Sequence, residues 1–332
     1  MPSRTASALP IAIVIALLQP SSRALAQMPD GTLIVTNKSA ATATFIDVRS
    51  SRVLATLPTG QGPHEIAITR DGRTAVVTDY GGPGGGSTLT VIDAAGRRVA
   101  RTVDLGTYRR PHGVAFLPGD SLVAVTSEQS GNVVLVHPAS GMVRRAFGTG
   151  AHGSHMLTFD RLGARIYTGN IGGNSVSKID ARSGARLRTF DVPPQPEAIG
   201  MPGDGREVWV GSNERGVVSA IDLATGVGRT VAEGFGWPYR IVFTPDDATV
   251  LMPDARNHEL RIVERATGRE LARLPFPGAG PQGITVSADG RHAFLSLSAR
   301  GRVAVIDLRA RTVVGEIESG PAPDGVVFVP AR

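Results

Sequence analysis

The chain has 332 residues, 41% of them hydrophobic, a formal net charge of +6 and no cysteine. Without cysteine there is no disulfide, thiol nucleophile, thiolate zinc site, iron–sulfur cluster or C-x-x-C-H haem attachment. Lys38 and Lys178 are the only lysines among 35 cationic residues, and the arginines are scattered singly, a pattern that does not favour a nucleic-acid partner.

In chain order, residues 1–26 read as a signal peptide. Arg4 supplies a positive start and LPIAIVIALL (9–18) an apolar stretch too short to span a bilayer; Ala24-Leu25-Ala26 is a small-residue cleavage site. Removing this segment takes away Arg4 and Arg23. The remaining 306 residues, with a net charge of 6 − 2 = +4, are expected to be exported, periplasmic or secreted. No later apolar run is long enough to cross a membrane as a helix.

Residues 27–332 read as a single domain of repeats. MPDG (28–31) is a hairpin turn with no strand before it, and residues 32–58 carry three strands. A full unit then follows: HEIAIT (64–69), the turn RDG (70–72), TAVVTD (74–79), a Gly-rich loop, STLTVID (87–93) and RRVARTVDL (97–105). Such runs of Val, Ile, Thr and Leu bounded by Gly and Asp are half-buried strands. The tight turn returns as PGD (118–120), GDG (203–205), PDD (245–247) and ADG (288–290). The third strand ends as FID (45–47), VID (91–93), LVH (135–137), KID (178–180), AID (220–222), IVE (262–264) and VID (305–307), and its last residue is expected to organise the next turn. The loop GGPGGG (81–86) lacks the Lys-Ser/Thr and helix of a phosphate cradle, so no nucleotide is expected; the loop only lengthens its repeat.

A small or Pro residue before a strand marks each copy: GPHEIAIT (62–69), RPHGVAFL (110–117), GSHMLTFD (153–160), QPEAIGMP (195–202), WPYRIVFT (237–244), GPQGITVS (280–287) and APDGVVFV (322–329). The spacings are 48, 43, 42, 42, 43 and 42 residues, the period of one four-stranded blade per repeat. DGVVFVP (324–330) has no strand after it, and joining it to residues 32–58 completes a blade. The expected fold class is therefore all-β: a seven-bladed β-propeller whose ring is closed by the C-terminal inner strand pairing with the N-terminal strands, leaving no free sheet edge at the junction.

IVTN (34–37), VVTD (76–79), AVTS (124–127), the third strands ending in I-D and the Pro-containing repeat starts together resemble the YVTN-family β-propeller repeats over residues 28–332. That resemblance implies a seven-bladed propeller, often exported, and implies little about chemistry. PHGVAF (111–116) is also similar to lactonase-type propellers.

The residue after the Pro (or Ser154) forms a column: His64, His112, His155, Glu197, Tyr239, Gln282 and Asp324. Three of the chain's seven histidines fall in it, where composition alone predicts far fewer than one. In a propeller these positions gather around the mouth of the axial channel, so separate blades contribute to one concave site. His64, His112, His155 and Glu197 offer three imidazoles and a carboxylate to a divalent metal such as zinc, manganese or copper. Across the ring, Arg240 is suited to clamp a substrate carboxylate and Tyr239 to transfer a proton. His152 and His258 are expected on the same face, with Glu65, Glu128, Asp79, Asp254 and Arg256 as further rim residues.

Two functions follow. One is an exported metal-dependent lyase or lactone-opening hydrolase working at the channel mouth. The alternative is a non-catalytic propeller, expected as a monomer, that binds a small molecule or a cell-envelope component. No serine-hydrolase elbow, zincin helix or calcium loop is present to decide between them.

Overall fold

The computed structural model describes residues 28–331, so the expected signal peptide at 1–26 lies outside the described residues. Apart from one 3-10 turn, Ser298–Arg300, the regular structure is all strand, arranged as seven four-stranded antiparallel sheets. The seven-bladed propeller is borne out. Blade 1 joins the last strand, Pro323–Pro330, to Gly31–Asn37, Thr42–Asp47 and Arg52–Pro58. The closing register pairs Leu33 with Phe328 and Ile34 with Val327. Blade 2 comprises Pro63–Ile68, Thr74–Asp79, Thr88–Asp93 and Arg98–Asp104, and blades 3–7 follow in chain order.

Burial explains why the strands look as they do. Middle strands such as Thr74–Asp79 are buried on both faces because neighbouring blades cover both sides; outer strands such as Met142–Gly148 are mostly exposed. Seven apolar clusters fill the seven gaps between adjacent blades. Each Leu or Ile in them contributes roughly 1.5–3 kcal/mol relative to exposure. The third-strand Asp residues do organise their turns, since Asp47, Asp93, Asp180, Asp222 and Asp307 accept N–H bonds three residues on at 2.7–2.9 Å.

The start of each inner strand positions the site. Its first residue pairs with the polar end of the second strand, as in Pro63 with Asp79, Pro111 with Ser127 and Ser154 with Asn170. The register then shifts, leaving the column residue in a bulge that re-aims its side chain. In six blades a left-handed residue precedes this pair, among them Gly62, Arg110, Gly153 and Gln195. Blade 6 departs from the pattern. Trp237 is not left-handed, Pro238 meets Asp254 only in an isolated bridge, and the inner strand is reduced to Val242–Phe243.

Candidate functional site

Six of the seven column residues, His64, His112, His155, Glu197, Tyr239 and Gln282, line one cavity of about 320 Å³ together with Lys38, Tyr80, Glu128, Ile171 and Trp237. Asp324 lies against it, bonded to Tyr239 and Lys38. The column is thus one place in space. Lys38, Tyr80, Glu128 and Ile171 belong to a second column, the residue after the second strand of blades 1–4, whose strands end at Asn37, Asp79, Ser127 and Asn170. Sequence reasoning named Glu128 as a rim residue but missed Lys38 and Tyr80. The signal was available: both follow the V-T-N and V-T-D strand ends directly.

The three histidines form a contiguous arc with two ionisation states. Ring centroids are 5.1 Å apart for His64 and His112 and 3.7 Å for His112 and His155, and Tyr80 packs on His64 and His112 at 4.5 and 5.4 Å. His64 Nδ1 lies 2.8 Å from the Gly62 carbonyl, which can only accept; Nδ1 therefore carries the proton and Nε2 keeps a lone pair. Burial lowers the pKa of His64, and that of His112 well below the usual imidazole range, so both are neutral rings.

His155 behaves oppositely. Its burial also disfavours charge, but Glu128 Oε2 at 2.7 Å from Nδ1 and Glu197 Oε1 at 3.8 Å from Nε2 prevail, raising its pKa to about 9. The ring is an imidazolium between two carboxylates. Tyr80 donates to Glu128 Oε1 at 3.0 Å and accepts from Arg110 at 2.9 Å. Glu197 Oε2 accepts from Asn213 at 2.5 Å and Trp237 Nε1 at 2.7 Å. The expected metal set thus meets as rings in contact. Among the described residues no group of three or more His, Cys, Asp or Glu side chains is arranged to hold a metal ion.

Blade 6 faces this arc. The Tyr239 hydroxyl donates to Asp324 Oδ2 at 3.1 Å; burial first, and then the charge of Asp324, hold the phenol well above its usual pKa, so it stays a neutral hydrogen-bond donor and is a poorer acid than a free phenol. Arg240 is ion-paired with Glu65, donates to the Tyr239 carbonyl at 2.6 Å and stacks 4.2 Å over the Tyr239 ring. Burial lowers its pKa to about 10, which leaves it charged at neutral pH. The guanidinium expected to clamp a substrate carboxylate is therefore engaged inside the protein. Blades 6 and 2 stand nearly opposite, so the pair crosses the axis at a level where four other blades have only Gly113, Ala198, Gly283 and Gly325.

The other rim candidates do not line the cavity. His152 is exposed, and His258 Nδ1 accepts the Gly280 N–H at 3.1 Å. Asp79 is buried, with its pKa raised by that burial to about 6; it accepts from Gly60 N, Thr88 and Thr90. Asp254 accepts from Gly236 N and Trp237 N, which fixes the turn that presents Trp237. Arg256 sits over the Trp237 ring at 5.9 Å. The Gly-rich loop is held by Arg109 on the Gly84 and Gly85 carbonyls and by Arg110 on that of Pro83.

The YNCE-like beta-propeller family model matches residues 19–121. The chain is similar to YNCE-like propellers. The YVTN-type resemblance read from the repeats is thereby borne out. No curated protein sequence matches the chain. Among solved structures, a functionally unknown protein from Desulfotomaculum acetoxidans DSM 771 superposes with a TM-score of 0.75 at 15% identity, covering 91% of this chain and 100% of that one. Kuenenia stuttgartiensis hydrazine synthase gives 0.69 at 18% identity, covering 82% and 96%. NirN, a dihydro-heme d1 dehydrogenase in complex with DHE, gives 0.63 at 17%, covering 90% and 75%. At these identities the likeness concerns the fold, and the chemistry of this chain rests on its own residues.

Proposed function

We propose that this YNCE-like propeller binds a small polar molecule at the mouth of its axial channel, outside the cytoplasm, with His64, His112 and His155 as the recognition wall. The observation that carries this reading is the convergence of three blades' imidazoles on one cavity, with Trp237 and Tyr239 on the facing side. About 320 Å³ suits a small metabolite. The test is a carbon–proton NMR titration of the histidine rings with pooled organic acids, sugars, amino acids and nucleosides. Binding at the mouth shifts His64, His112 and His155 together. A ligand that moves only His137 or His292 refutes the assignment.

A catalytic reading has one observation of its own: a neutral ring with a free lone pair, His64, and an imidazolium, His155, stand on the same wall. Base and acid are then present at once, as lactone opening requires. His64 Nε2 takes a proton from water, the hydroxide adds to the lactone carbonyl, the ring C–O bond breaks and His155 protonates the departing oxygen. Turnover of a lactone panel that vanishes in His64→Phe, with binding retained, supports this reading over a purely binding one.

A further inference from the structure

We infer that the ligand received at the channel mouth is a small hydroxycarboxylate; the inference rests on the binding reading above and gives it a chemical class. Its basis is the hydrogen-bonding capacity left over at the site. Eight buried side-chain polar atoms lack a partner among the described residues, and five of them belong to His112, His155, Asn213, Arg240 and Asp324 around the axis.

The wall carboxylates are engaged, although Glu197 takes both of its donors on Oε2 and its Oε1 faces His155 Nε2 at 3.8 Å. Glu128 accepts from Tyr80 and His155, and Glu197 accepts from Asn213 and Trp237. The donors are not used up. Lys38 commits two of its three N–H groups, to Gln282 Oε1 at 2.7 Å and Asp324 Oδ2 at 3.1 Å. Gln282 leaves its amide N–H pair unused, and His155 Nε2 has no acceptor within hydrogen-bond distance. Two cationic donors and an amide around one cavity select an anionic oxygen group.

One acceptor points to the second group. His64 Nε2 keeps its lone pair because Nδ1–H is bound to the Gly62 carbonyl. A hydroxyl on the ligand satisfies it, and a plain carboxylate does not. The class is therefore an acid that also carries a hydroxyl, the kind of product that opening a lactone would release.

Calorimetry on the purified chain tests this with pairs differing by one hydroxyl: malate against succinate, and citrate against tricarballylate, with erythritol as the uncharged polyol and choline as the cation. The hydroxy acids are expected to bind about tenfold or more tighter than their partners, and erythritol and choline not to bind. Lys38→Met and His155→Gln each weaken both members of a pair by a similar factor, whereas His64→Phe, which keeps a ring of similar size, weakens malate about tenfold more than succinate and so removes the preference within the pair. Equal affinity for malate and succinate, preference for erythritol or choline, or no acid binding at about 10 mM overturns the inference. A non-acid ligand that shifts the three histidine rings would end this proposal and leave mouth binding standing; an acid that binds without moving those rings would end both.

Discussion

Blades 2–4 and blade 6 deliver side chains to the same mouth through different backbones, and they do different work there. In blades 2–4 a left-handed residue, a Pro or Ser and a bulge set out His64, His112 and His155 side by side. In blade 6 the inner strand is cut to two residues, and Trp237, Tyr239 and Arg240 reach inward to Glu197, Asp324 and Glu65. The regular repeats build a wall with hydrogen-bonding capacity to spare. The irregular one sends Trp237, Tyr239 and Arg240 to carboxylates of three other blades and so ties the ring together.

The largest way to break that contrast is Arg240→Met. It leaves Glu65 buried without its cation, and a loss of about 3–5 kcal/mol is expected in urea unfolding. The double change Glu65→Leu/Arg240→Met should recover most of it; an equally unstable double variant would show that the residues act separately.

Next in size is His155→Gln, expected to cost about 1–3 kcal/mol near neutral pH because Glu128 loses a charged donor. The pH dependence identifies the ring. With a folded pKa of about 9, its contribution is fully present below about 6.5 and fades as pH rises through 9. His64 and His112 have the opposite sign. Their lowered pKa values stabilise the fold above about 6.5 and cost stability as acid charges the unfolded chain. Thermal melts from pH 5 to pH 10 should show both limbs, with the alkaline limb missing in the variant. An unchanged alkaline limb would place the titration elsewhere.

A smaller effect is expected from Tyr80→Phe, which removes one hydrogen bond to Glu128 and leaves the ring packing in place; about 1 kcal/mol should be lost, together with a lower titration midpoint for His155. The smallest response is to metal. Because His112 and His155 lie ring on ring, titration with Zn²⁺, Mn²⁺ or Cu²⁺ should show binding no tighter than about micromolar. Nanomolar binding lost in His112→Phe would restore the metal reading of the arc.

Much of the site was legible because a propeller repeats its local geometry. Once the Pro-containing starts were aligned, His64, His112, His155 and Glu197 had to share a rim. The second column was equally regular and went unread, since Lys38, Tyr80, Glu128 and Ile171 have no residue type in common. Arg240, expected to clamp a substrate carboxylate at the mouth, is instead paired with Glu65 of blade 2.

Strand pattern, period and turn chemistry act over a few residues, so the linear chain alone determined the seven blades, the closing of the ring and the first column of residues at its mouth. Ionisation and tautomer belong to the folded molecule. Whether His155 is charged depends on Glu128 and Glu197, which other blades bring to it. Whether Arg240 is free depends on Glu65, 175 residues away in sequence. Distances of that kind are settled only when the blades meet around the axis, because electrostatic and hydrogen-bond energies follow separation and burial rather than order along the chain.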